Sequence, residues 1–231
     1  MSIAENIARV HERIAAAARR AGRSPDEVTL MAVSKTVEPA RIRGAYAAGI
    51  RVFGENRVQE FAEKAAALRD LEGAEWHLIG HLQSNKAGKA VELFGAVDSV
   101  DSAKLARKLD AAAQKDVPVL IEINIGGEEA KAGVAPGSRE FEELLRAAPE
   151  LKHVRIRGLM AIPPFTEDPE GARSYFRRMR ELRDEIAGRK LPGVAMEVLS
   201  MGMSHDFEVA IEEGATCVRV GTAIFGERAK K

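Results

Sequence analysis

Lys35 closes the apolar run Val28-Thr-Leu-Met-Ala-Val-Ser-Lys35. Burial disfavours the charged form of an ammonium, so such a lysine either finds a partner or loses basicity. A lysine of lowered pKa attacks carbonyl carbons, which is the chemistry of Schiff bases. Taken alone, Lys35 reads as a strand-end residue whose stem covers apolar surface while its head reaches water. The other end of the chain changes that reading. In Cys217-Val-Arg-Val-Gly-Thr-Ala-Ile-Phe-Gly226, Arg219 shares a period-two face with Cys217, and Thr216, Val218 and Val220 take the other face. If the Arg219 face is buried, its permanent charge needs an acceptor: a ring nitrogen, a phosphate or a carboxylate. Ser200, Ser204, Gly221 and Thr222 offer hydroxyl and unobstructed N–H donors suited to a phosphate. The alternative is that Ser204 caps a helix beginning near Asp206 and that Gly221 only makes a turn.

These groups need elements to bring them together. Eight short apolar runs read as strands: residues 28–34, 51–53, 76–79, 96–100, 117–123, 154–161, 196–200 and 216–220. Amphipathic segments separate them, such as residues 102–114 with Leu105 and Leu109 on one face. After Asp168, Pro169 suits a first helical position and Phe176, Met179, Leu182 and Ile186 form an apolar stripe. Repeated strand–helix alternation predicts parallel strands with crossover helices. The expected fold is a single (β/α)8 TIM-type barrel domain over residues 1–231, with an open doubly wound sheet as the alternative. Ile3, Ile7, Val10 and Ile14 predict an additional N-terminal helix. In a barrel, active sites lie at the C-terminal strand ends. Lys35, Gly54-Glu55-Asn56, Gly80 to Lys86, Asn124, Ser200 to Asp206 and Gly221-Thr222 all follow strands, so one rim gathers the unusual residues. The loop from Gly126 to Gly137 reads either as a cover over that rim or as a disordered surface loop.

The totals narrow the function. Lys and Arg number 35, as do Asp and Glu, so nothing argues for a nucleic-acid partner. One cysteine permits no intrachain disulfide, and Cys217 in an apolar strand reads as core. No run is long enough to span a membrane, and the N-terminus lacks a signal pattern, so a cytoplasmic location is expected. A lysine for an aldehyde, donors for a phosphate and an arginine for a ring nitrogen together outline a pyridoxal phosphate pocket.

At these residues the chain resembles the pyridoxal phosphate homeostasis protein family, single-domain relatives of fold-type III pyridoxal enzymes such as alanine racemase. The matching stretches are Ala-Val-Ser-Lys35-Thr, Phe53-Gly-Glu-Asn56 with Val58-Gln-Glu60, Trp76-His-Leu-Ile-Gly-His81 through Lys86, Gly158-Leu-Met-Ala-Ile-Pro163, Leu199-Ser-Met-Gly-Met-Ser204 and Val218-Arg-Val-Gly-Thr-Ala-Ile-Phe-Gly226. The resemblance implies that Lys35 forms a Schiff base with pyridoxal 5′-phosphate. It places Arg219 at the pyridine nitrogen, Ser200, Gly221 and Thr222 on the phosphate, and Asn56, His81 and Ser204 near the cofactor. Gly126 departs from the serine expected there. The family is similar in lacking the second domain of racemases, and with it their dimer interface, so a monomer is expected.

An arginine can only donate to the ring nitrogen, which keeps the pyridine neutral and a poorer electron sink. Tyr46 and Tyr175 fall in helical patterns away from the rim, so the second acid/base of a racemase is missing. The expected function is a carrier that stores and buffers pyridoxal phosphate and passes it to apo-enzymes, rather than a robust catalyst. Three alternatives stay open. His81 on the rim could support slow racemisation or transamination. A cofactor-free Schiff-base aldolase acting on a sugar phosphate would also use the lysine and phosphate loop, without needing Arg219. A metal hydrolase is suggested by His77-Leu-Ile-Gly-His81, although no glutamate lies between the histidines and the spacing crosses a strand end.

Overall fold

The eight apolar runs form a closed parallel barrel in the computed structural model, which describes residues 2–128 and 131–227. The strands are β1 (Thr29–Val33), β2 (Val52–Glu55), β3 (Glu75–Leu78), β4 (Ala96–Val100), β5 (Val117–Ile123), β6 (Val154–Ala161), β7 (Val194–Met203) and β8 (Cys217–Val220). They follow one another in chain order, and β1 closes on β8 through Thr29 opposite Cys217 and Met31 opposite Arg219. The open-sheet alternative is therefore excluded.

The helices are α1 (Ile3–Arg20), α2 (Pro39–Ala47), α3 (Val58–Ala65), α4 (Ala87–Leu93), α5 (Ala103–Ala112), α6 (Arg139–Ala147), α7 (Arg173–Gly188), α8 (Phe207–Glu212) and α9 (Thr222–Phe225). The expected N-terminal helix is α1, begun by a Ser2–Glu5 capping box and burying Ile7, Val10 and Ile14. It packs on α8 and α9, where Asn6 Nδ2 donates to the Ile224 carbonyl at 2.9 Å. The α7 stripe is buried as its spacing predicts.

Period-two alternation divides two cores. Ala32, Leu78, Val97, Val119, Ile121, Ile123, Val218 and Val220 face the helices in one large apolar cluster. Met31, Ile79 and Cys217, with Val33, Val52 and Val198, fill the barrel interior. Burial pushes the Cys217 thiol up to about 12, so it packs rather than reacts. Between β2, β3 and α3, Trp76 stacks on Phe53 at 4.8 Å and meets Phe61 at 4.7 Å. Each such pair is worth about 0.5–1.5 kcal/mol beyond burial, and together they fix α3 against the strands.

The strands that differ most from the expectation are β2 and β7. Gly54 and Glu55 belong to β2 instead of following it, because Gly54 lies inward against Met31 and Ile79 while Glu55 pairs with Leu78. β7 runs on through Met203. It passes over α8 at Gly202, whose φ is +90° and where a Cβ would sit 2.5 Å from Ala210 Cβ, so only glycine fits.

Candidate functional site

Lys35 lies two residues beyond Val33, on the inward register of Met31 and Val33, and is half-buried at the C-terminal rim. Its two chain neighbours are clamped. The Ser34 hydroxyl donates to Glu55 Oε1 at 2.5 Å, and Lys64 Nζ reaches both that oxygen and the Ser34 carbonyl at 2.9 Å. On the other side, the Thr36 N–H donates to Glu60 Oε1 at 2.5 Å, holding a non-glycine residue at φ +62°. That left-handed backbone costs about 1–2 kcal/mol and persists because α3 supplies both Glu60 and Lys64. Burial raises the Glu55 carboxyl above its ordinary range, with Lys64 opposing the rise.

Arg219 is 3% exposed and shares the inward face with Cys217, as the alternation predicts. Its Nη1 donates to Ser200 Oγ at 2.7 Å and its Nη2 to the Ala161 carbonyl at 2.8 Å. Two neutral acceptors fix the guanidinium plane and leave part of its donor fork for a ligand. Burial lowers its pKa, and the carboxylates of Asp98, Glu122 and Asp206 support its charge. Ser200 is thus fully buried beneath Arg219, where its hydroxyl orients the guanidinium.

Ser204 does not cap α8, whose N-cap is Asp206; its hydroxyl instead accepts from the Gly221 N–H at 3.2 Å and the Ala223 N–H at 3.3 Å. Those N–H groups and the exposed Thr222 form one donor cluster between the ends of β7 and β8. Lys35, Arg219, Ser204, Gly221 and Thr222 therefore lie at or beyond the ends of β1, β7 and β8, which are neighbours in the closed barrel.

The remaining candidates are spread along the rim. Asn56 is half-buried after β2. His81 is exposed and pairs with Asp101 at 3.2 Å. His77 points inward to Asp98 at 3.1 Å; burial opposes its charge, but Asp98 outweighs it and the imidazole titrates above its ordinary value. The two histidines are thus held by separate carboxylates, and no cluster fit for a metal exists among the described residues. Tyr46 donates to the Glu72 carbonyl from α2, and Tyr175 lies in α7.

The loop after β5 is partly ordered by Asn124, whose amide Nδ2 donates to the Glu128 carbonyl at 2.9 Å and whose Oδ1 accepts from the Glu128 N–H. Glu129 and Ala130 of that loop lie outside the described residues. Gly126 has a local reason: a Cβ there would meet Pro164 Cγ at 2.6 Å. The return of the loop, through Val134, adds a bridge to Ile123.

Glu122 on β5 is the site residue that sequence reasoning missed. It is buried, and with Ile123, Asn124, Lys131, Ala132 and Ile162 it lines a cavity of about 190 Å³ at the C-terminal end of β5. A larger concavity of about 620 Å³ between α5 and α6 is lined by Arg107, Glu143, Arg146, Ala147 and Glu150, away from the strand ends.

Comparison with known proteins places this geometry. The family model for the alanine racemase N-terminal domain matches residues 6–229. The pyridoxal phosphate homeostasis protein of Aquifex aeolicus is 50% identical, over 99% of each chain. The solved structure of PipY from Synechococcus elongatus with PLP bound has a TM-score of 0.81 and 40% identity, covering 97% of this chain and all of that one. Alanine racemase from Corynebacterium glutamicum shares the fold at a TM-score of 0.70 and 21% identity, over 98% of this chain and 61% of that enzyme.

Proposed function

The chain belongs to the pyridoxal phosphate homeostasis protein family, and we propose on that premise that it captures pyridoxal 5′-phosphate reversibly, limits the free aldehyde and releases it to apo-enzymes. Working as a monomer, the barrel would hold the aldehyde at Lys35, the ring nitrogen at Arg219 and the phosphate at Ser204, Gly221 and Thr222. When bound, the group supplies a reactive aldehyde and a conjugated ring that can accept electron density.

The observation that carries this reading is the convergence of three donor chemistries at one rim. Lys35 has its backbone clamped on both sides, so its amine is presented from a fixed point. Arg219 is always charged and already oriented by Ser200 and Ala161, so it can donate to a ring nitrogen without first being ordered. The Gly221 and Ala223 N–H groups are gathered on Ser204 Oγ, a polar cluster that an anion could take over. A sugar-phosphate aldolase would have no use for Arg219 at this place. The weak turnover expected of the site follows from its acids and bases, because neither tyrosine reaches the rim. Asn56 and His81 would stand at the edge of the pocket, and Ser200 would act through Arg219 rather than on the phosphate. Among the described residues no helix is long and apolar enough to cross a membrane.

The test is the visible absorption of the purified protein before and after borohydride, with the modified residue mapped by mass spectrometry. We expect a yellow protein that bleaches and carries a pyridoxyl group on Lys35, and no such adduct in Lys35→Ala. A colourless protein that stays unmodified after incubation with pyridoxal phosphate would overturn the proposal.

A further inference from the structure

β5 contributes an acid that the donor set above leaves unexplained. Val119, Ile121 and Ile123 pack outward, so Leu120 and Glu122 point into the barrel. Glu122 is 8% exposed, yet its Oε2 has no hydrogen-bond partner among the described residues. Leaving a buried acceptor unmade costs about 1–3 kcal/mol, so an orphan of this kind calls for a physical cause. It lines the cavity at the end of β5 with Ile123, Asn124, Lys131 and Ile162. In the closed order β5 lies opposite β1, so Glu122 and Lys35 approach the mouth from facing walls.

Its neighbours decide its charge. β4 and the loop after it bring Asp98 and Asp101, and the loop after β3 brings His81. β8 brings Arg219, and the loop after β5 brings Lys131, which pairs with Glu128 and also reaches the Pro163 carbonyl. The partner on β6 is Met160, which carries no charge. Burial is the largest influence and Asp101 adds to it, while Arg219 and His81 offset only part; the carboxyl is pushed up to about 7.

An acid half-ionised near neutrality presents a ligand with two different surfaces. Ionised, it repels a phosphate-bearing aldehyde in a mouth of low dielectric; protonated, it donates a hydrogen bond. We propose that Glu122 binds the captured ligand as a neutral acid, donating to an acceptor on it, so that capture takes up a proton. This deepens the pyridoxal phosphate reading and rests on it. By linkage, whatever holds the proton on Glu122 in the loaded protein also weakens capture as pH rises.

Calorimetric titration of the full chain with pyridoxal 5′-phosphate, in two buffers of different ionisation enthalpy, counts the protons. Glu122 should account for an uptake of about 0.5 proton at pH 7 and about 0.9 at pH 8. Glu122→Gln, neutral throughout, should bind the same probe while taking up that many fewer protons. Its affinity should also escape a weakening of about fivefold between pH 7 and pH 8 that the unaltered chain shows beyond it. Ionisation of the probe and of Lys35 is common to both proteins and drops out of the difference. Equal uptake by the two, or loss of binding by a folded Glu122→Gln, overturns the inference. If that variant fails to fold, infrared difference spectra of the unaltered protein at pH 8 decide. Adding the probe must then produce a carboxylic-acid carbonyl band at the expense of a carboxylate band, and its absence overturns the inference. Borohydride trapping in the same samples separates the two readings. A trapped Lys35 with an unchanged proton count sinks the role of Glu122 alone, and an untrapped Lys35 sinks the pocket with it.

Discussion

Glu55 and Glu122 are both buried carboxyls raised above their ordinary range by desolvation, but they are solved differently. Glu55 has Lys64 at 2.9 Å and the Ser34 hydroxyl at 2.5 Å, both on Oε1, so this oxygen fixes the chain around Lys35 while Glu55 Oε2 has no hydrogen-bond partner among the described residues. Glu122 has no such contact. A group whose folded pKa lies near 7, against a reference of 4.5, stabilises the folded chain fully only below about 4.5. That contribution is lost as pH rises through 7. Without ligand, Glu122→Gln should therefore be more stable than the unaltered chain by up to about 3 kcal/mol at pH 8. The gain should shrink to nothing as pH falls toward 4.5. Denaturant unfolding at both pH values checks this, and a pH-independent gap would mean that the carboxyl reaches water. Such a gain on removing a group is what a functional acid kept at a cost in stability produces. Lys35 and Arg219 were legible in sequence because a cation at a strand end is conspicuous whichever way the sheet is built. Glu122 was not, since one acid within Val117-Pro-Val-Leu-Ile-Glu-Ile123 reads as the wet face of a strand. Only closure of the barrel turns that face inward.

Elements that carry the site are held by charge as well as by burial. α8 has six residues and no side-chain cap at its N-terminus, too little to stand alone. Its end is gripped by α7. Glu213, 5% exposed, accepts from Arg173 and Arg177 at 3.1 Å and pairs with Arg180 at 3.3 Å, three arginines on one helical face. Burial alone would raise the Glu213 carboxyl, but the hydrogen bonds from Arg177 and Arg173 outweigh it and hold the group below the ordinary carboxylate value. Its stabilisation is present above about pH 4.5 and lost as pH falls further. Glu213→Gln should cost about 1–3 kcal/mol at pH 7, the upper limit of a buried pair being discounted because the arginines are partly exposed. Thermal melts should show a lower Tm at pH 7 and a smaller deficit at pH 4. An equal deficit at both would assign the loss to packing. The apolar stripe of α7 was readable from spacing alone, but its grip on Glu213 was not, because pairing across two elements leaves no periodic trace. The end of β7 was hidden for a related reason: Gly202 looks like a loop residue until α8 is seen pressing against the strand.

Across the whole molecule, the proposed cofactor pocket would straddle the seam where the first strand meets the last. Thr29 to Ala32 pair with Cys217 to Val220, so the barrel closes only when segments nearly a chain length apart come together. Closing so long a loop carries a large entropic cost, and any ligand touching both edges opposes its reopening. Lys35 lies on the β1 side of the seam, whereas Arg219, Ser204 and Gly221 lie on the β7–β8 side. A ligand held by all four binds the folded chain and has no comparable site on the unfolded one. Pyridoxal phosphate at 100 times its Kd should then add about 2.7 kcal/mol of stability. For a chain of this length that is a Tm rise of about 5–10 °C. Lys35→Ala should keep a smaller rise, since the contacts on the β8 side of the seam survive without the covalent anchor. Both outcomes can be read from thermal melts with increasing pyridoxal phosphate. If Lys35 is modified and the melting temperature does not move, the aldehyde is decorating an accessible amine, and the seam plays no part in holding it.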